Sequence, residues 1–346
     1  MKILITGGAG FIGSYVAQML AVRGNAVVVV DNINDYYDVC LKYARLRELL
    51  GVRAGDEEME FGKEQNSSIF PNLVFIRLSI DDKESLDALF VKYGFDVVVN
   101  LAAQAGVRYS ITHPYVYMQS NLVGFLNILE ACRFSHVPKL VYASSSSVYG
   151  MNEKVPYSED DKVDTPVSLY AASKKSNELM AHSYSKLYGI QCIGLRFFTV
   201  YGPWGRPDMS PMIFAHAILD GEPIKVFNYG DMLRDFTYID DIVEGTVRVV
   251  EHDLYAENCP NGVAYRIYNI GSGHPIRLMD FIAELEKVFG KSARKEFLPM
   301  QPGDVYQTYA DTTILETEMG YHPRWSLHEG ITEFANWYQS EKNLLG

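Results

Sequence analysis

A glycine-rich turn near the start of the chain limits the possible fold more than any other feature of the sequence. An apolar run (KILIT, 2–6) leads into the turn, and residues 14–23 after it have helical periodicity. A continuous β-branched run (AVVVV, 26–30) follows, as expected of a strand that is covered on both faces. The turn contains four glycines, Gly7, Gly8, Gly10 and Gly13. Strand, turn, helix and strand within about 30 residues predict one βαβ unit.

Strands and helices alternate up to residue 200, which predicts an α/β fold with a Rossmann doubly wound parallel sheet. Further strands are predicted at 73–78, 96–101, 139–144 and 191–196, and helices at 83–93, 118–134 and 169–187. A polar stretch at 54–68 interrupts the alternation, and we expect it to form an exposed excursion.

Beyond residue 200 the Gly and Pro residues predict a smaller, interleaved C-terminal α/β lobe. The elements predicted for this lobe are a short helix, a strand at 224–227 and helices near 240–252 and 278–289. We therefore divide the chain into a dinucleotide-binding Rossmann domain (1–200) and a lobe that mainly binds substrate (201–346). Part of 235–255 is expected to return to the first domain.

Composition excludes several function classes. A net charge of −12 disfavours a nucleic-acid partner, whose binding needs a concentrated basic surface. No apolar run approaches the roughly 20 residues that span a bilayer, so no membrane segment is predicted. The sequence has no targeting segment either, and the expected location is the cytoplasm. The four cysteines lack Cys-x-x-Cys spacing and the eight histidines are not clustered, so no metal site is predicted.

The glycine turn predicts a phosphate-binding site. Glycines permit the tight turn, let the backbone approach a pyrophosphate and let the helix pack against the strand. The free N–H groups and the dipole of the following helix favour negative charge. Asp31 and Asn32 end the second strand, where an acid can hydrogen-bond both adenosine ribose hydroxyls and would repel a 2′-phosphate. The predicted cofactor is therefore NAD rather than NADP.

Tyr170 and Lys174 are spaced Tyr-x-x-x-Lys at the start of a helical pattern, so their side chains share one helix face. A free tyrosine has a pKa of about 10, and we expect the lysine ammonium to lower that pKa. Such a tyrosine can remove a proton from a sugar hydroxyl. Ser144 to Ser147 follow a predicted strand at its carboxyl end, where ligands gather in open α/β sheets. The alternative interpretation is an ordinary amphipathic helix beside a polar turn.

Seven segments of the chain resemble the extended short-chain dehydrogenase/reductase family, and within it the NAD-dependent epimerases and dehydratases. They are TGGAGFIG (6–13), NLAAQAGVRYS (100–110), ASSSSVYG (143–150), LYAASK (169–174), RFFTVYGPWGRPDM (196–209), RDFTYIDD (234–241) and MQPGDV (300–305). The resemblance covers essentially the whole chain and is greatest to the UDP-glucuronate 4-epimerases.

The resemblance implies a role for each matching residue. Tyr170 would be the catalytic base, Lys174 its electrostatic partner and Ser145 a third catalytic hydroxyl. The resemblance and the glycine turn together imply a set of cofactor-binding residues. They are Gly7, Gly10, Phe11, Ile12, Gly13, Asp31, Asn32, Ile80, Leu101, Ala102, Ala103, Asn121, Tyr170, Lys174 and Phe197. The implied substrate-binding residues are Arg108, Ser146, Ser147, Thr199, Arg206, Arg234 and Asp304.

Some of these positions bear on the identity of the substrate. Arg234 and Asp304 look like contacts to UDP, and Arg206 is a candidate partner for a sugar carboxylate or the phosphates. Arg108 is a weaker candidate for that carboxylate. Thr199 stands where relatives that act on neutral hexoses usually carry Asn.

At two positions near the cofactor this chain departs from the pattern of its relatives. Relatives commonly have an adenine-contacting Asp where this chain has Ser79 and Ile80, and many have His where it has Asn100.

The residues after Ser145 separate the reactions that this fold hosts. Similar 4,6-dehydratases carry Asp and Glu there, and uronate decarboxylases resemble them in having Glu at the second position, whereas this chain has Ser146 and Ser147. Serine is a poor acid or base without an activating partner. The expected function is therefore interconversion of UDP-glucuronate and UDP-galacturonate through a transient 4-keto sugar.

Other functions and one assembly stay open. A 4-epimerase of UDP-hexoses or UDP-N-acetylhexosamines is the main alternative, and a dehydratase or decarboxylase is a lesser one. A non-enzymatic NAD-binding module would need the glycine turn but not Tyr170 or Lys174. The family usually forms homodimers through a four-helix bundle, so we expect 118–134 and 169–187 to pair two subunits. Packing of these helices within one chain is the alternative.

Overall fold

The computed structural model describes residues 1–54, 59–255, 257, 259–301 and 303–340. The strands are β1 (Lys2–Thr6), β2 (Ala26–Asp31), β3 (Glu64–Asn66), β4 (Leu73–Arg77), β5 (Val97–Asn100), β6 (Lys139–Ser145), β7 (Gln191–Phe197), β8 (Thr199–Tyr201), β9 (Pro223–Val226), β10 (Leu233–Tyr238), β11 (Tyr265–Ile270), β12 (Pro275–Arg277) and β13 (Arg294–Phe297).

Eight strands form the central sheet in the order β11-β7-β6-β5-β1-β2-β4-β3. All neighbours in it pair in parallel except β3, which is antiparallel to β4. The chain runs from β1 to one side through β2 and β4, and then to the other side through β5, β6 and β7. This reversal is the topological switch point of a doubly wound sheet, outside which ligands bind. The predicted fold class is confirmed.

Twelve α-helices lie within the described residues. They are α1 (Phe11–Val22), α2 (Val39–Leu50), α3 (Lys83–Tyr93), α4 (Tyr109–Thr112), α5 (Pro114–Tyr117), α6 (Gly124–Phe134), α7 (Leu169–Tyr188), α8 (Ser210–Asp220), α9 (Ile239–Glu251), α10 (Leu278–Phe289), α11 (Thr313–Met319) and α12 (Leu327–Tyr338). The helix predicted at 118–134 is interrupted, because Met118–Val123 forms a π-helical segment before α6.

The core lies on both faces of the central sheet because its strands alternate buried side chains. Ile3 and Ile5 of β1 pack in the cluster that contains residues of α1, α2 and α9. Leu4 packs in the opposite cluster, with residues of α3, α6 and α7. Both faces are therefore covered, which explains the continuous apolar runs within the central strands, such as 3–5 of β1 and 26–30 of β2.

The C-terminal part of the chain contributes to the central sheet as well as to the lobe. Two small sheets, β12-β10-β8 and β13-β9, form there. However, α9 packs against α1, and β11 pairs with β7. Residues 239–251 and 265–270 thus pack with the first domain, and the boundary at residue 200 stays a prediction.

The polar stretch at 54–68, which was predicted to form an exposed excursion, contains a strand that was not predicted. Residues 55–58 lie outside the described residues, and Glu64–Asn66 forms the edge strand β3. Among the described residues no helix is both long and apolar enough to cross a membrane.

Candidate active site

The carboxyl ends of β1, β2, β5, β6 and β7 surround a cavity of about 430 Å³, a size typical of small-molecule sites. Most residues predicted for the site line this cavity: Gly7, Gly10, Phe11, Ile12, Gly13, Asp31, Asn32, Ile80, Leu101, Ala102, Ala103, Ser145, Ser146, Ser147, Tyr170, Lys174, Phe197, Thr199, Arg206, Arg234 and Asp304. The fold therefore brings together residues from positions 7 to 304 of the chain.

The glycine turn has the geometry that a dinucleotide requires. Gly7 has φ +70°, and a Cβ on it would lie 2.7 Å from the Ala102 nitrogen. A Cβ on Gly13 would lie only 2.2 Å from the Gly7 oxygen. No side chain caps the start of α1 at Gly10, so the first N–H groups of that helix remain available to an anion. The turn thus fits a pyrophosphate held by backbone.

Asp31 is held in one orientation at the end of β2. Its Oδ2 accepts a hydrogen bond from the Ala9 nitrogen at 3.1 Å, and its Oδ1 accepts one from the Ile33 nitrogen at 2.8 Å. The side chain is buried but lines the cavity. A carboxylate in this place can accept ribose hydroxyls and would repel a 2′-phosphate. These features fit NAD.

Tyr170 and Lys174 lie in the first two turns of α7, which Ser168 caps by accepting a hydrogen bond from the Ala171 nitrogen. The Lys174 Nζ lies 6.0 Å from the centre of the Tyr170 ring and donates to the Ala143 oxygen at 2.8 Å. Burial lowers the pKa of Lys174 to about 8. The predicted spacing therefore does place both side chains on one face, in the wall of the cavity.

The electrostatic prediction for Tyr170 needs a correction. Burial raises the pKa of Tyr170, and a hydrogen bond with Ser145 and the charge of Arg206 oppose this rise. Lys174 was expected to lower that pKa, but its ammonium is hydrogen-bonded to Ala143 and is not a cause of the shift. Burial outweighs the nearby charges, and Arg206 supplies the positive charge that acts on the phenol.

The four serines at the carboxyl end of β6, Ser144 to Ser147, make different contacts. Ser147 donates to the Ser145 oxygen from its nitrogen at 3.2 Å and from its hydroxyl at 2.9 Å. Ser144 is buried and donates to Glu178 at 2.7 Å. Glu178 in turn receives two hydrogen bonds from Arg196, at 2.8 and 3.0 Å. This buried ion pair holds the strand end from which Ser145 reaches the site.

Arg234 and Asp304 form the far side of the cavity. Arg234 donates to the Val305 oxygen at 2.7 Å and to the Tyr306 oxygen at 3.0 Å, so it holds the segment that follows Asp304. Asp304 accepts a hydrogen bond from Arg108 at 3.2 Å. Arg234 thus positions backbone in this structure, and Asp304 faces the cavity with Arg108 as its partner.

Two residues predicted for the site do not line the cavity. Asn121 is buried, and its amide donates to the Gln104 oxygen at 3.0 Å and accepts from the Gln104 nitrogen at 2.8 Å. Asn121 therefore holds the chain after β5, and its role in binding the cofactor stays a prediction. Arg108, whose side chain is 57% exposed, pairs with Asp304 outside the wall.

Sequence reasoning missed a set of residues in the loop after β2 and in α2. Tyr36 and Lys42 line the cavity, and the Tyr36 hydroxyl donates to Asp208 at 3.0 Å. Arg45 is fully buried and donates to Trp204 and Ala9. The helical i,i+3 spacing of Lys42 and Arg45 was the available signal, because it places two cations on one helix face.

Comparison with known proteins decides the family. Residues 3–271 match the NAD dependent epimerase/dehydratase family. The chain belongs to this family.

Several known proteins resemble this chain over nearly its whole length. Protein CapI of Staphylococcus aureus is 48% identical, over 98% of each chain. UDP-glucuronate 4-epimerase 4 of Arabidopsis thaliana is 44% identical, over 98% of this chain and 76% of its own. The crystal structure of UDP-glucuronic acid 4-epimerase from Bacillus cereus with UDP-glucuronic acid and NAD is 35% identical. It superposes with a TM-score of 0.84 over 97% of this chain and 98% of that one.

As a member of this family the protein is an NAD-dependent enzyme, and NAD is its cofactor, as predicted. The glycine turn would hold the pyrophosphate, and Asp31 the adenosine ribose. Among the described residues no group of three or more His, Cys, Asp or Glu side chains could hold a metal ion.

Proposed function

We propose that the protein is a UDP-glucuronate 4-epimerase, which interconverts UDP-glucuronate and UDP-galacturonate through a transient 4-keto sugar. The observation that carries this proposal is the cation Arg206 in the same wall as Tyr170 and the serines. The full-length similarity to UDP-glucuronate 4-epimerases supports it.

The chain's own residues perform the acid–base part of the reaction. Tyr170 takes the proton of the sugar C4 hydroxyl and later returns it. Ser145 hydrogen-bonds Tyr170 and would also hydrogen-bond the C4 hydroxyl. Tyr170 must be a phenolate before it takes that proton, and the positive charge of Arg206 stabilises this form. The Lys174 ammonium, 6.0 Å from the ring centre, lies in the same wall. When bound, NAD supplies the reversible acceptance of hydride that oxidation at C4 needs. The hydride can return to the opposite face of C4 only if the 4-keto sugar turns within the cavity.

The sugar carboxylate would be bound by Arg206, Thr199 and the two serines at 146 and 147. Arg206 offers a planar, charged donor, and the three hydroxyls offer neutral ones. The UDP moiety would lie along Arg234 and Asp304. These residue roles follow from their position in the wall and from the motifs that carry them.

Elimination and decarboxylation are disfavoured by the acids available. The acidic side chains among the described wall residues are Asp31 and Asp304. Asp31 is fixed by backbone N–H groups at the glycine turn, and Asp304 is paired with Arg108. Neither Ser146 nor Ser147 supplies the acid or base that loss of water needs. The 4-keto sugar is therefore reduced again rather than broken down.

Product analysis tests the proposal. The protein is incubated with NAD and UDP-glucuronate, and the sugar products are identified by NMR. We expect UDP-galacturonate and UDP-glucuronate at equilibrium. Release of carbon dioxide or a stable dehydrated sugar would overturn the epimerase proposal, and conversion of UDP-glucose or a UDP-N-acetylhexosamine in place of UDP-glucuronate would favour the alternatives.

The subunit partner and the location remain part of the proposal. We propose a homodimer through α6 and α7, whose apolar side chains Leu126, Leu179 and Leu187 are 40%, 59% and 68% exposed. Burial of such side chains against a second copy would remove apolar surface from water. Light scattering on the purified protein would detect the dimer. A cytoplasmic location stays a prediction.

A further inference from the structure

The guanidinium of Arg206 is held by a carboxylate that lies outside the cavity wall. Arg206 lines the cavity and Asp208 does not. The Arg206 Nε donates to Asp208 Oδ1 at 3.1 Å, and its Nη2 donates to Oδ2 at 2.6 Å. This two-point contact fixes the plane of the guanidinium. Within the described chain the Arg206 Nη1 has no hydrogen-bond partner, so its donors are available to a ligand.

Tyr36 holds the same carboxylate from another part of the chain. Its hydroxyl donates to Asp208 Oδ2 at 3.0 Å. Burial and the Asp208 charge raise the pKa of Tyr36 to about 12, so the hydroxyl stays protonated and remains a donor at neutral pH. Asp208 therefore accepts hydrogen bonds on both oxygens, and its position depends on the loop after β2.

The backbone around Tyr36 is shaped to admit it. The Tyr36 ring lies 4.8 Å from the Tyr109 ring, edge to face. Gly106 has φ +105°, and a Cβ there would lie 2.6 Å from the Tyr36 hydroxyl oxygen. The segment after β5 thus packs against Tyr36, and Tyr36 in turn contacts Asp208 in the segment after β8. Because Asp208 is held in place, the Arg206 side chain that it binds can present its remaining donors without losing further rotamer freedom on binding.

We propose that Asp208 and Tyr36 are specificity-determining positioning residues, which hold Arg206 for the carboxylate at C5 of the substrate sugar. The inference rests on the proposed function and deepens it. A free arginine would attract any anion, whereas a guanidinium fixed in one plane selects a planar carboxylate at one place. Because Asp208 balances the charge of Arg206, discrimination depends on the direction of the remaining N–H groups.

The test compares two ligands that differ at C6 of the sugar, UDP-glucuronate and UDP-glucose. Their dissociation constants are measured by calorimetry on NAD-loaded protein for the wild type, Asp208→Asn and Tyr36→Phe. Asp208→Asn keeps the shape but turns one acceptor into a donor that faces Arg206. We expect it to weaken UDP-glucuronate binding about tenfold and UDP-glucose binding less than about twofold. Tyr36→Phe should weaken UDP-glucuronate about threefold.

Asp220→Asn is the matched control, since Asp220 ends α8 at the surface and pairs only with the exposed His216 among the described residues. It should leave both dissociation constants unchanged. Equal weakening of both ligands in Asp208→Asn and Tyr36→Phe would show a merely structural role, and tighter binding of UDP-glucuronate would show that Asp208 opposes the anion. Either result overturns the inference.

Turnover of UDP-glucuronate by the wild type distinguishes failure of the proposed function from failure of this inference. If wild-type protein loaded with NAD does not convert UDP-glucuronate, the proposed function fails and the inference fails with it. If the wild type converts UDP-glucuronate but both variants keep the wild-type ratio of dissociation constants, only the inference fails.

Discussion

The cavity has a cofactor end, around Gly7, Gly13 and Asp31, and a sugar end, around Tyr170 and Arg206. The cofactor end is mostly backbone, and its glycine turn and Asp31 come from one βαβ unit. The sugar end is made of side chains from segments far apart in the chain. Backbone geometry can bind a part that all substrates of a family share, whereas side chains can change to suit one sugar.

Arg45 connects the two ends. It lies in α2 and is fully buried, and its five N–H groups all have acceptors. It donates to the Ala9 oxygen in the glycine turn and to the Trp204 and Gly205 oxygens, which precede Arg206. The position of the sugar-end loop therefore depends on the cofactor end.

The largest effect on turnover should follow a substitution at Tyr170 that leaves the structure of both ends of the cavity unchanged. Tyr170→Phe removes only the phenolic oxygen, so the fold and NAD binding should be kept while kcat falls about a thousandfold. Steady-state kinetics with UDP-glucuronate measure kcat, and calorimetry measures NAD binding. Tyr229→Phe, at a tyrosine that is 66% exposed, is the control and should keep wild-type kcat. A Tyr170→Phe enzyme within a few-fold of wild type would reject Tyr170 as the base.

Gly13→Ala breaks the cofactor end alone. The new Cβ would lie 2.2 Å from the Gly7 oxygen, so the turn must open. We expect NAD affinity measured by calorimetry to fall about a hundredfold, because the backbone donors no longer converge on the pyrophosphate. Gly24→Ala, where φ is +83° but a Cβ meets open space, controls for backbone strain and should bind NAD normally. Unchanged NAD affinity in Gly13→Ala would contradict the assignment of the turn.

Arg45→Met tests whether the two ends are coupled. Methionine fills much of the arginine volume but leaves the Ala9, Trp204 and Gly205 oxygens without these donors. The free energy of unfolding should fall by about 2 kcal/mol, and the KM for UDP-glucuronate should rise although Arg45 does not line the cavity. Denaturant unfolding and steady-state kinetics check both. A stability loss with an unchanged KM would mean that the ends are independent.

Glu159 does not line the cavity, so its substitution should have the smallest effect on the reaction and act on stability alone. Its Oε1 accepts from the Asn269 nitrogen at 2.7 Å, and its buried Oε2 has no partner among the described residues. Burial raises its pKa from 4.5 to about 7. The folded state therefore binds more protons than the unfolded state between these values, and this contribution to stability is lost as the pH rises through 7.

Glu159→Gln keeps the acceptor for Asn269 but does not ionise. The difference in free energy of unfolding between wild type and variant should therefore shift against the wild type by about 3 kcal/mol from pH 4.5 to pH 8. Urea unfolding at several pH values measures it. A difference that is constant with pH would show that Glu159 is not buried as a neutral acid.

The parts of the molecule that could be predicted from sequence are those with short-range causes. The strands β1, β2 and β4 to β7 are covered on both faces, so each contains a run of apolar residues that could be recognised. Strands such as β8 and β11 were missed. β8 has three residues, and β11 mixes polar with apolar side chains; both form because distant partners, β10 and β7, pair with them.

The site shows the same division. The glycine turn and the Tyr-x-x-x-Lys pair could be recognised because one turn of backbone or helix determines their geometry. The contacts of Asn121 with Gln104 and of Tyr36 with Asp208 could not, because each joins two different segments that only the folded chain brings together. The balance of burial and charge at Tyr170 also depends on Arg206, which only the folded chain brings near.

The fate of the hydrogen at C4 tests the central claim most directly. UDP-glucuronate that carries deuterium at C4 is converted in ordinary water, and the product is examined by NMR and mass spectrometry. Oxidation and reduction inside one closed site predict UDP-galacturonate that keeps its deuterium at C4. Loss of the deuterium to solvent, or a product that lacks the carboxylate, would contradict the account.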